Sequence, residues 1–310
     1  MAYRYLFGPV PSRRLGISLG IDLVPHKTCT FDCVYCECGR TTDLTRERRE
    51  YVPTDRVIAE LDDFLAKGPE LDYITFAGSG EPTLHSGIGE IISFIKDRYP
   101  RYRVAVLTNS ALLTDPAVRA ALMPADLVVP SLDAVSEEAF VRINRPYSGI
   151  TAEQVLAGLL DFVSEYPGEV RLEIFIVPGI NDTEEEIRLL KDAVAAVNPD
   201  CVQLNTLDRP GTDIRVRPAS IGALERIAVV FGGKTEVIGA ACTDRTLPPE
   251  SEDVAETILA TIRRRPCTPA DLATLLGIRP AEVAKHLRVL ESGGQIEPVQ
   301  EERGVFYRPV

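Results

Sequence analysis

The sequence of 310 residues lacks any apolar run close to the roughly 20 residues that a membrane-spanning helix requires. It also lacks an excess of positive charge, because the formal net charge is −12, which is untypical of nucleic-acid-binding proteins but compatible with a local basic pocket. Residues 1–20 contain three arginines and no long apolar segment, so nothing suggests secretion. The composition favours a cytoplasmic protein with one large domain and one small domain.

The most informative positive feature is a short loop that contains Cys29, Cys33 and Cys36. Three thiolates at this spacing can bind three corners of a [4Fe–4S] cluster and leave the fourth iron open to a small molecule. A zinc site would use paired Cys-x2-Cys units with four protein ligands, and no second pair follows here. Disulfides would need an oxidising compartment. The loop therefore predicts a cluster with an open iron.

The other cysteines do not form a second pattern. Cys38 follows Cys36 after one residue, and we expect it to lie on the solvent side of the loop or beside the cluster rather than to bind iron. Cys201, Cys242 and Cys267 are too scattered for a second cluster and are expected to be buried free thiols.

Apolar runs alternate with helical periodicity along most of the chain, which predicts parallel strands with helical crossovers in about six βα units. Thr54 and Asp182 precede helical patterns and are expected to cap them. Strands are predicted at 16–24, 73–76, 104–107, 127–129, 170–177, 202–204 and 236–238, and helices at 54–66, 87–98, 115–122, 136–143, 151–165, 183–196 and 221–231.

Polar motifs follow several of these strands, at the end of the sheet where α/β proteins place their sites. Glu81 stands in a Gly-Ser-Gly-Glu turn in which Gly78 and Gly80 would let the backbone approach a ligand. Asn109 and Ser131 follow the next two strands. Each of these two residues is as compatible with helix capping or turn formation as with ligand binding.

The cysteine loop, with aromatic Tyr35 before Cys36, resembles the signature of the radical SAM enzymes. In that superfamily S-adenosylmethionine chelates the open iron, and one electron cleaves it to methionine and a 5′-deoxyadenosyl radical. The resemblance implies a partial (β/α)6 barrel and a flavodoxin or ferredoxin as reductant. It also implies cofactor contacts from Tyr35, Gly78, Gly80, Glu81, Asn109, Ser131 and Ile180.

A narrower resemblance covers most of residues 3–240 and includes Gly8–Gly16, Gly39–Thr42 and Ile143–Pro146. Together with the cysteine loop these motifs look like the wyosine-synthase-like iron–sulfur oxidoreductases. Authentic wyosine synthase, which acts on tRNA, holds a second cluster with upstream cysteines, and this chain has no cysteine before Cys29. That difference argues against the same reaction. Arg142 and Arg145 flank an Asn and are candidates for clamping an anionic substrate.

The C-terminal part reads as a separate unit: a core domain over 1–245, a linker over 246–252 and a small domain over 253–310. Three helices at 253–264, 271–276 and 280–292 and a hairpin at 296–299 and 305–308 resemble a winged helix-turn-helix. From residue 250 onwards eight basic and ten acidic side chains are present, whereas DNA-binding modules are usually basic. We therefore expect protein contact, substrate capture or RNA positioning rather than duplex DNA binding.

Two classes of function fit these features best. The first is a radical SAM enzyme that modifies a macromolecule, either tRNA or a protein, with the small domain as docking module. The second is a radical SAM enzyme of small-molecule biosynthesis that uses the small domain for protein contacts. A redox-sensing transcription regulator is a third reading, but a sensor has no need of the strand-end motifs.

Overall fold

The computed structural model describes residues 3–238, 254–301 and 303–310. The predicted linker over 246–252, the domain boundary at 245 and Cys242 lie outside these ranges. Among the residues described, no helix is both long and apolar enough to cross a bilayer.

The centre of the molecule is an eight-stranded sheet in the order β1-β2-β5-β6-β7-β8-β9-β10. All neighbouring strands run parallel except β1, which pairs antiparallel with β2 at one edge. The strands of this sheet are β1 (Leu6–Ser12), β2 (Gly16–Ile21), β5 (Tyr73–Phe76), β6 (Arg103–Thr108), β7 (Leu127–Pro130), β8 (Glu169–Phe175), β9 (Cys201–Asn205) and β10 (Thr235–Val237). The short strands β3 (Thr28–Cys29) and β4 (Asp43–Leu44) form a separate pair.

Helices connect the parallel strands, so the predicted strand–helix alternation is confirmed. They are α1 (Thr54–Leu65), α2 (Ile88–Arg98), α3 (Pro116–Leu122), α4 (Glu137–Asn144), α5 (Ala152–Glu165), α6 (Glu184–Val197) and α7 (Ile221–Phe231), with a 3-10 turn at Pro82–Leu84. Each helix that covers the sheet buries one apolar stripe, as α1 does with Val57, Leu61 and Leu65.

Two expected helix caps are wrong. The N-cap of α1 is Pro53, and the amide of Thr54 instead donates to the Glu50 carboxylate at 2.8 Å. The N-cap of α6 is Thr183, whose hydroxyl accepts from the amide of Glu186. Asp182 accepts from the amide of Gly179 at 2.6 Å, and so closes the preceding turn. In both places the N-cap is the residue next to the predicted one. A sequence pattern rarely defines a helix boundary to within one residue.

Residues 254–301 and 303–310 form three helices and a hairpin, and they pack around a hydrophobic cluster of their own. Ile258, Ile262, Leu272 and Val283 are all fully buried there. The elements are α8 (Val254–Arg264), α9 (Pro269–Leu276), α10 (Pro280–Ser292), β11 (Ile296–Glu301) and β12 (Gly304–Pro309).

Candidate active site

The candidate site lies where the parallel strands end. The cysteine loop follows β2, Glu81 follows β5, Asn109 follows β6 and Ser131 follows β7. Because the carboxyl ends of parallel strands meet at one edge of a sheet, this topology brings together side chains that are about a hundred residues apart in sequence.

Each of the three loop thiols has its own polar donor, from distant parts of the chain for Asn109 and Asn144 and from just before the loop for Lys27. The side-chain Nδ2 atom of Asn109 lies 3.5 Å from Cys29 Sγ, and the Nδ2 atom of Asn144 lies 3.4 Å from Cys33 Sγ. The Nζ atom of Lys27 lies 2.9 Å from Cys36 Sγ. Donors that point at sulfur stabilise negative charge on it, which is what a thiolate ligand to iron needs.

The protonation of the free thiols is uneven, and the causes differ. Burial and the nearby charge of Glu81 raise the pKa of Cys29 to about 12. Burial and the charge of Asp133 raise the pKa of Cys33 well above its usual value. A hydrogen bond from Cys38, together with the Lys27 ammonium, lowers the pKa of Cys36 to about 6. Cys36 is therefore the thiol most readily available as thiolate before any metal binds.

Cys38 is partly buried and in contact with Cys36, and the expectation that it does not bind iron stays a prediction. Its sulfur is 3.8 Å from the carbonyl oxygen of Gly78. Of the more distant cysteines, Cys267 is buried as predicted, whereas Cys201 is only half-buried. All six cysteines in the described ranges are free.

Glu81 is buried and holds the strand ends together. One carboxylate oxygen accepts from the amide and hydroxyl of Thr83 and from the hydroxyl of Thr108. The other oxygen accepts from the backbone N–H of Asn109 at 2.8 Å. Burial nevertheless raises the pKa of Glu81 above its usual value. The predicted contact between this carboxylate and an ammonium group of a ligand stays a prediction.

The two glycines of the Gly-Ser-Gly-Glu turn are required by close packing against the cysteine-loop side of the sheet. A Cβ atom at Gly80 would stand 2.1 Å from the carbonyl oxygen of Thr28, the residue before Cys29. Gly78 has a φ of +150°, and a Cβ atom there would overlap the carboxylate of Asp22. The turn therefore supports the cysteine loop directly, whatever ligand it also contacts.

Tyr35 packs inward rather than towards solvent. Its ring stacks on Phe175 with centroids 3.8 Å apart, and its hydroxyl donates to Asp133 at 2.6 Å. Asp133 also accepts from Asn144 at 2.7 Å and from the amide of Phe175 at 3.0 Å. Because Asn144 in turn contacts Cys33, this buried carboxylate connects two points of the cysteine loop to the ends of β7 and β8.

The remaining predicted residues have partners within the protein. Ser131 Oγ lies 3.5 Å from the Glu173 carboxylate, and it does not cap a helix. Ile180 is half-buried in the turn after β8. Arg145 pairs with Asp213 at 3.0 Å, and Arg142 donates to the carbonyl of Gly179 at 3.0 Å. Contact of these residues with cofactor or substrate stays a prediction.

A segment that sequence reasoning missed, residues 207–213 between β9 and α7, lies against the cysteine loop. Thr212 donates its hydroxyl to the carbonyls of Cys33 and Val34 at 2.8 and 2.9 Å. Arg209, only 8% exposed, is placed 3.4 Å from Glu37 of the loop and 3.0 Å from Asp271 of α9. The 207–213 segment therefore connects the loop to residues 254–310.

Sequence signals for some of the missed residues were present. Asp133 ends the Ser-Leu-Asp motif after β7, and Asn144 lies within the Ile143–Pro146 motif. Lys27 stands two residues before Cys29, and a lysine so near a thiol is a candidate charge partner. Arg209 and Thr212 carry no such signal, because only the fold brings them to the loop.

A cluster of the [4Fe–4S] type fits these residues. The three thiols lie on one loop, and each has a hydrogen-bond donor. Three thiolates are the number of protein ligands that a cluster with one open iron requires. Within the described ranges, no three His, Cys, Asp or Glu side chains converge closely enough to hold a single metal ion. The case for the cluster from the structure therefore rests on the spacing of the three cysteines and on their donors.

A three-cysteine loop at the carboxyl edge of a parallel α/β sheet is the arrangement of an iron–sulfur enzyme. The chain belongs to the radical SAM superfamily, whose family model matches residues 23–191. That range includes the cysteine loop, Glu81, Asn109 and Ser131. The chain is accordingly a radical SAM enzyme, of a superfamily that uses a [4Fe–4S] cluster and S-adenosylmethionine and needs a reductant.

Relatives of similar size carry names that do not state a reaction. The chain is 36% identical to UPF0026 protein MJ1312 of Methanocaldococcus jannaschii over 75% of its own length and 72% of that protein. It is 32% identical to a UPF0026 protein of Helicobacter pylori strain J99 over 94% and 93% of the two chains. A longer relative is GTPase Obg of Brachyspira hyodysenteriae, with 34% identity over 94% of this chain, which spans 43% of that protein.

Solved structures show the same fold at low identity. A radical SAM methyltransferase from Sphaerobacter thermophilus superposes with a TM-score of 0.52 at 18% identity, over 71% of this chain and 66% of that one. Streptococcus suis SuiB bound to the precursor peptide SuiA gives 0.54 at 15% identity, over 70% and 48% of the two chains. These matches establish the α/β radical SAM fold with its parallel sheet.

Proposed function

We propose that Cys29, Cys33 and Cys36 hold a [4Fe–4S] cluster that cleaves S-adenosylmethionine reductively, and that the radical formed modifies a macromolecule, either tRNA or a protein. The observation that supports the ligand assignment is the separate donor at each thiol, Asn109, Asn144 and Lys27. When bound, the cluster supplies the electron and the open iron. S-adenosylmethionine would bind at the same edge of the sheet, against the strand-end residues predicted to contact it.

The proposal of a macromolecular substrate rests on residues 254–310. Their own hydrophobic cluster supports a small winged-helix-like domain, and Arg209 links this unit to Glu37, the residue after Cys36. A second folded unit held against the cysteine loop is suited to present a large substrate to the site. The reductant we propose is a flavodoxin or ferredoxin.

The test is anaerobic reconstitution followed by iron determination and chromatography of the cofactor products. The wild type should bind about four irons per chain and release 5′-deoxyadenosine with dithionite and S-adenosylmethionine. Cys29→Ala, Cys33→Ala and Cys36→Ala should each lose the cluster. Cys201→Ala is the matched control and should keep it. A wild type that binds iron but never cleaves the cofactor would refute the proposal.

Cys38 needs a separate variant, because four thiolates would leave no open iron. Cys38→Ser should keep iron near the wild-type content and should still release 5′-deoxyadenosine. Loss of the cluster in this variant would show that the loop uses four thiolates, and chelation of the cofactor by an open iron would then be wrong for this chain.

A further inference from the structure

A cleft lies between residues 254–310 and the rest of the molecule, next to the cysteine loop. It consists of two cavities of about 610 and 410 Å³. His26, Arg263, Arg264 and Pro309 line both cavities, so the two adjoin around the C-terminal end of α8. The wall of the smaller cavity includes residues 37–40, which directly follow Cys36. Cavities of this size accommodate nucleotide-sized ligands.

The cleft is basic although the whole chain is strongly acidic. Its arginines outnumber its carboxylate side chains by six to three. The arginines are Arg4, Arg40, Arg263, Arg264, Arg265 and Arg308, and the carboxylates are Asp22, Glu37 and Glu297. On a chain with a net charge of −12, such a local excess of positive charge attracts anions to this place rather than to the general surface.

Several of these arginines already have a carboxylate partner. Arg264 lies 3.2 Å from Asp22, and Arg308 lies 2.6 Å from Glu297. Arg4, Arg263 and Arg265 differ, because none of them is ion-paired with a carboxylate in the part of the chain that the structure describes. Three guanidinium groups are thus available to a ligand.

We infer that the cleft binds a ligand carrying more than one phosphate group, and that this ligand is the substrate or a part of it. The inference rests on the proposed function for the role of substrate. A guanidinium group matches a phosphate through paired N–H donors, and three available groups spread over two adjoining cavities exceed what one phosphate needs. The chemistry fits either the backbone of an RNA strand or a nucleoside diphosphate, and the position places it against the cysteine loop.

The test measures binding of two probes to the full-length protein. A fluorescein-labelled RNA hairpin is titrated by anisotropy, and ADP is titrated by calorimetry. Arg263→Gln/Arg265→Gln should weaken binding of whichever probe binds by at least tenfold, since each lost contact is charge-assisted. For RNA, the slope of log K against log salt should fall by about 1.4 to 1.8 units.

Two control variants keep the result interpretable. Arg188→Gln/Arg226→Gln changes the net charge equally at exposed helix positions outside the cleft and should bind like the wild type. Arg263→Lys/Arg265→Lys keeps the charge but loses the paired N–H donors, so its affinity should lie between those of the glutamine variant and the wild type. Binding of RNA alone would assign a polynucleotide, and binding of ADP alone a small phosphate ligand.

The inference is overturned if neither probe binds, or if binding is the same in the cleft variant and in the control variant. Cofactor cleavage by the wild type without substrate separates this failure from failure of the proposed function. A protein that releases 5′-deoxyadenosine but binds neither probe is a radical SAM enzyme with a different substrate. A protein that binds a probe in an arginine-dependent way but never cleaves the cofactor retains the cleft and loses the proposed reaction.

Discussion

Lys27 places a positive charge inside the candidate site. It is 3% exposed, and its Nζ atom lies 2.9 Å from Cys36 Sγ. Although burial opposes the charged form, the negative charge of Cys36 raises the pKa of Lys27 above its usual value, so the lysine stays protonated. A fixed positive charge beside a cluster ligand favours the more negative, reduced state of the cluster.

We expect Lys27→Met to lower the reduction potential of the reconstituted cluster. At an effective dielectric constant of about 20 the charge interaction is roughly 2–4 kcal/mol, which corresponds to a shift on the order of 100 mV for one electron. Redox titration followed by electron paramagnetic resonance measures it. Lys27→Arg keeps the charge and should stay near the wild type. An unchanged potential in Lys27→Met would remove the lysine from the electrostatics of the site.

Asp133 gives a prediction on pH. Burial raises the pKa of Asp133 to about 6, from an ordinary value of 3.8. Because the folded pKa lies above the unfolded one, the folded state binds the extra proton, and the stability it confers is present below pH 4 and is lost as the pH rises through 6. Relative to Asp133→Asn, the free energy of unfolding of the apo-protein should fall by about 2–3 kcal/mol between pH 4 and 7. Urea denaturation at several pH values measures this, and a difference that does not vary with pH would contradict it.

At the scale of single residues, the sequence could single out the candidate cluster ligands but not the side chains that surround them. Cys29, Cys33 and Cys36 lie close together in the sequence, so their spacing can be recognised without the structure. Asn144 reaches Cys33 from 111 residues away, and the Tyr35 hydroxyl reaches Asp133 across 98. These contacts depend on how α4 and β7 pack on the loop, which no local pattern encodes.

At the scale of elements, the apolar pattern located most strands and helices within a few residues. The helices bury one apolar face, and the central parallel strands bury both faces, so both leave a clear pattern in the sequence. The strand β1 was missed. Its sequence, Leu-Phe-Gly-Pro-Val-Pro-Ser, has two prolines and no alternation, and its residues are mostly half-buried. Proline usually argues against a strand, and it is tolerated here because β1 lies at the sheet edge.

The turn after β5 offers an element-scale prediction. Gly80→Ala would place a Cβ atom 2.1 Å from the Thr28 carbonyl, so the cysteine loop must shift. We expect a loss of about 1–3 kcal/mol in apo-protein stability, typical of overpacking, together with reduced iron content. Gly233→Ala is the control, because an added Cβ there meets no atom within 4 Å. Thermal unfolding and iron determination measure both effects. If the two variants behave alike, the short distance between position 80 and the Thr28 carbonyl does not affect the stability or the iron content.

At the scale of the whole molecule, Arg209 is one of the ion-paired residues that join the C-terminal helices and hairpin to the rest of the chain. It lies close to Glu37 and Asp208 on one side and to Asp271 and the carbonyl of Pro266 on the other. The sequence predicted two units but not their junction. In the sequence, the arginines at 263–265 counted only towards the net charge of the C-terminal residues. Their concentration in one cleft follows from the position of α8 against the cysteine loop.

Arg209→Ala should therefore be more damaging than loss of an ordinary surface arginine. Its carboxylate partners are 16–22% exposed, so the loss should be about 1–3 kcal/mol, below that for a fully buried pair. Arg215→Ala is the control. Its side chain is 83% exposed, and its pair with Asp213 should contribute at most about 1 kcal/mol. Guanidinium denaturation of both variants measures the difference, and equal losses would show that the bridge does not stabilise the protein.

The strand β1 also has a consequence for behaviour at high concentration. An unprotected sheet edge can pair with the edge of another chain and start aggregation. Pro9 and Pro11 have no backbone N–H to offer to such a neighbour. The register between β1 and β2 also shifts between Phe7 and Val10, which interrupts the regular ladder. A strand that is hard to recognise in the sequence thus makes this border of the sheet a poor template for a second molecule.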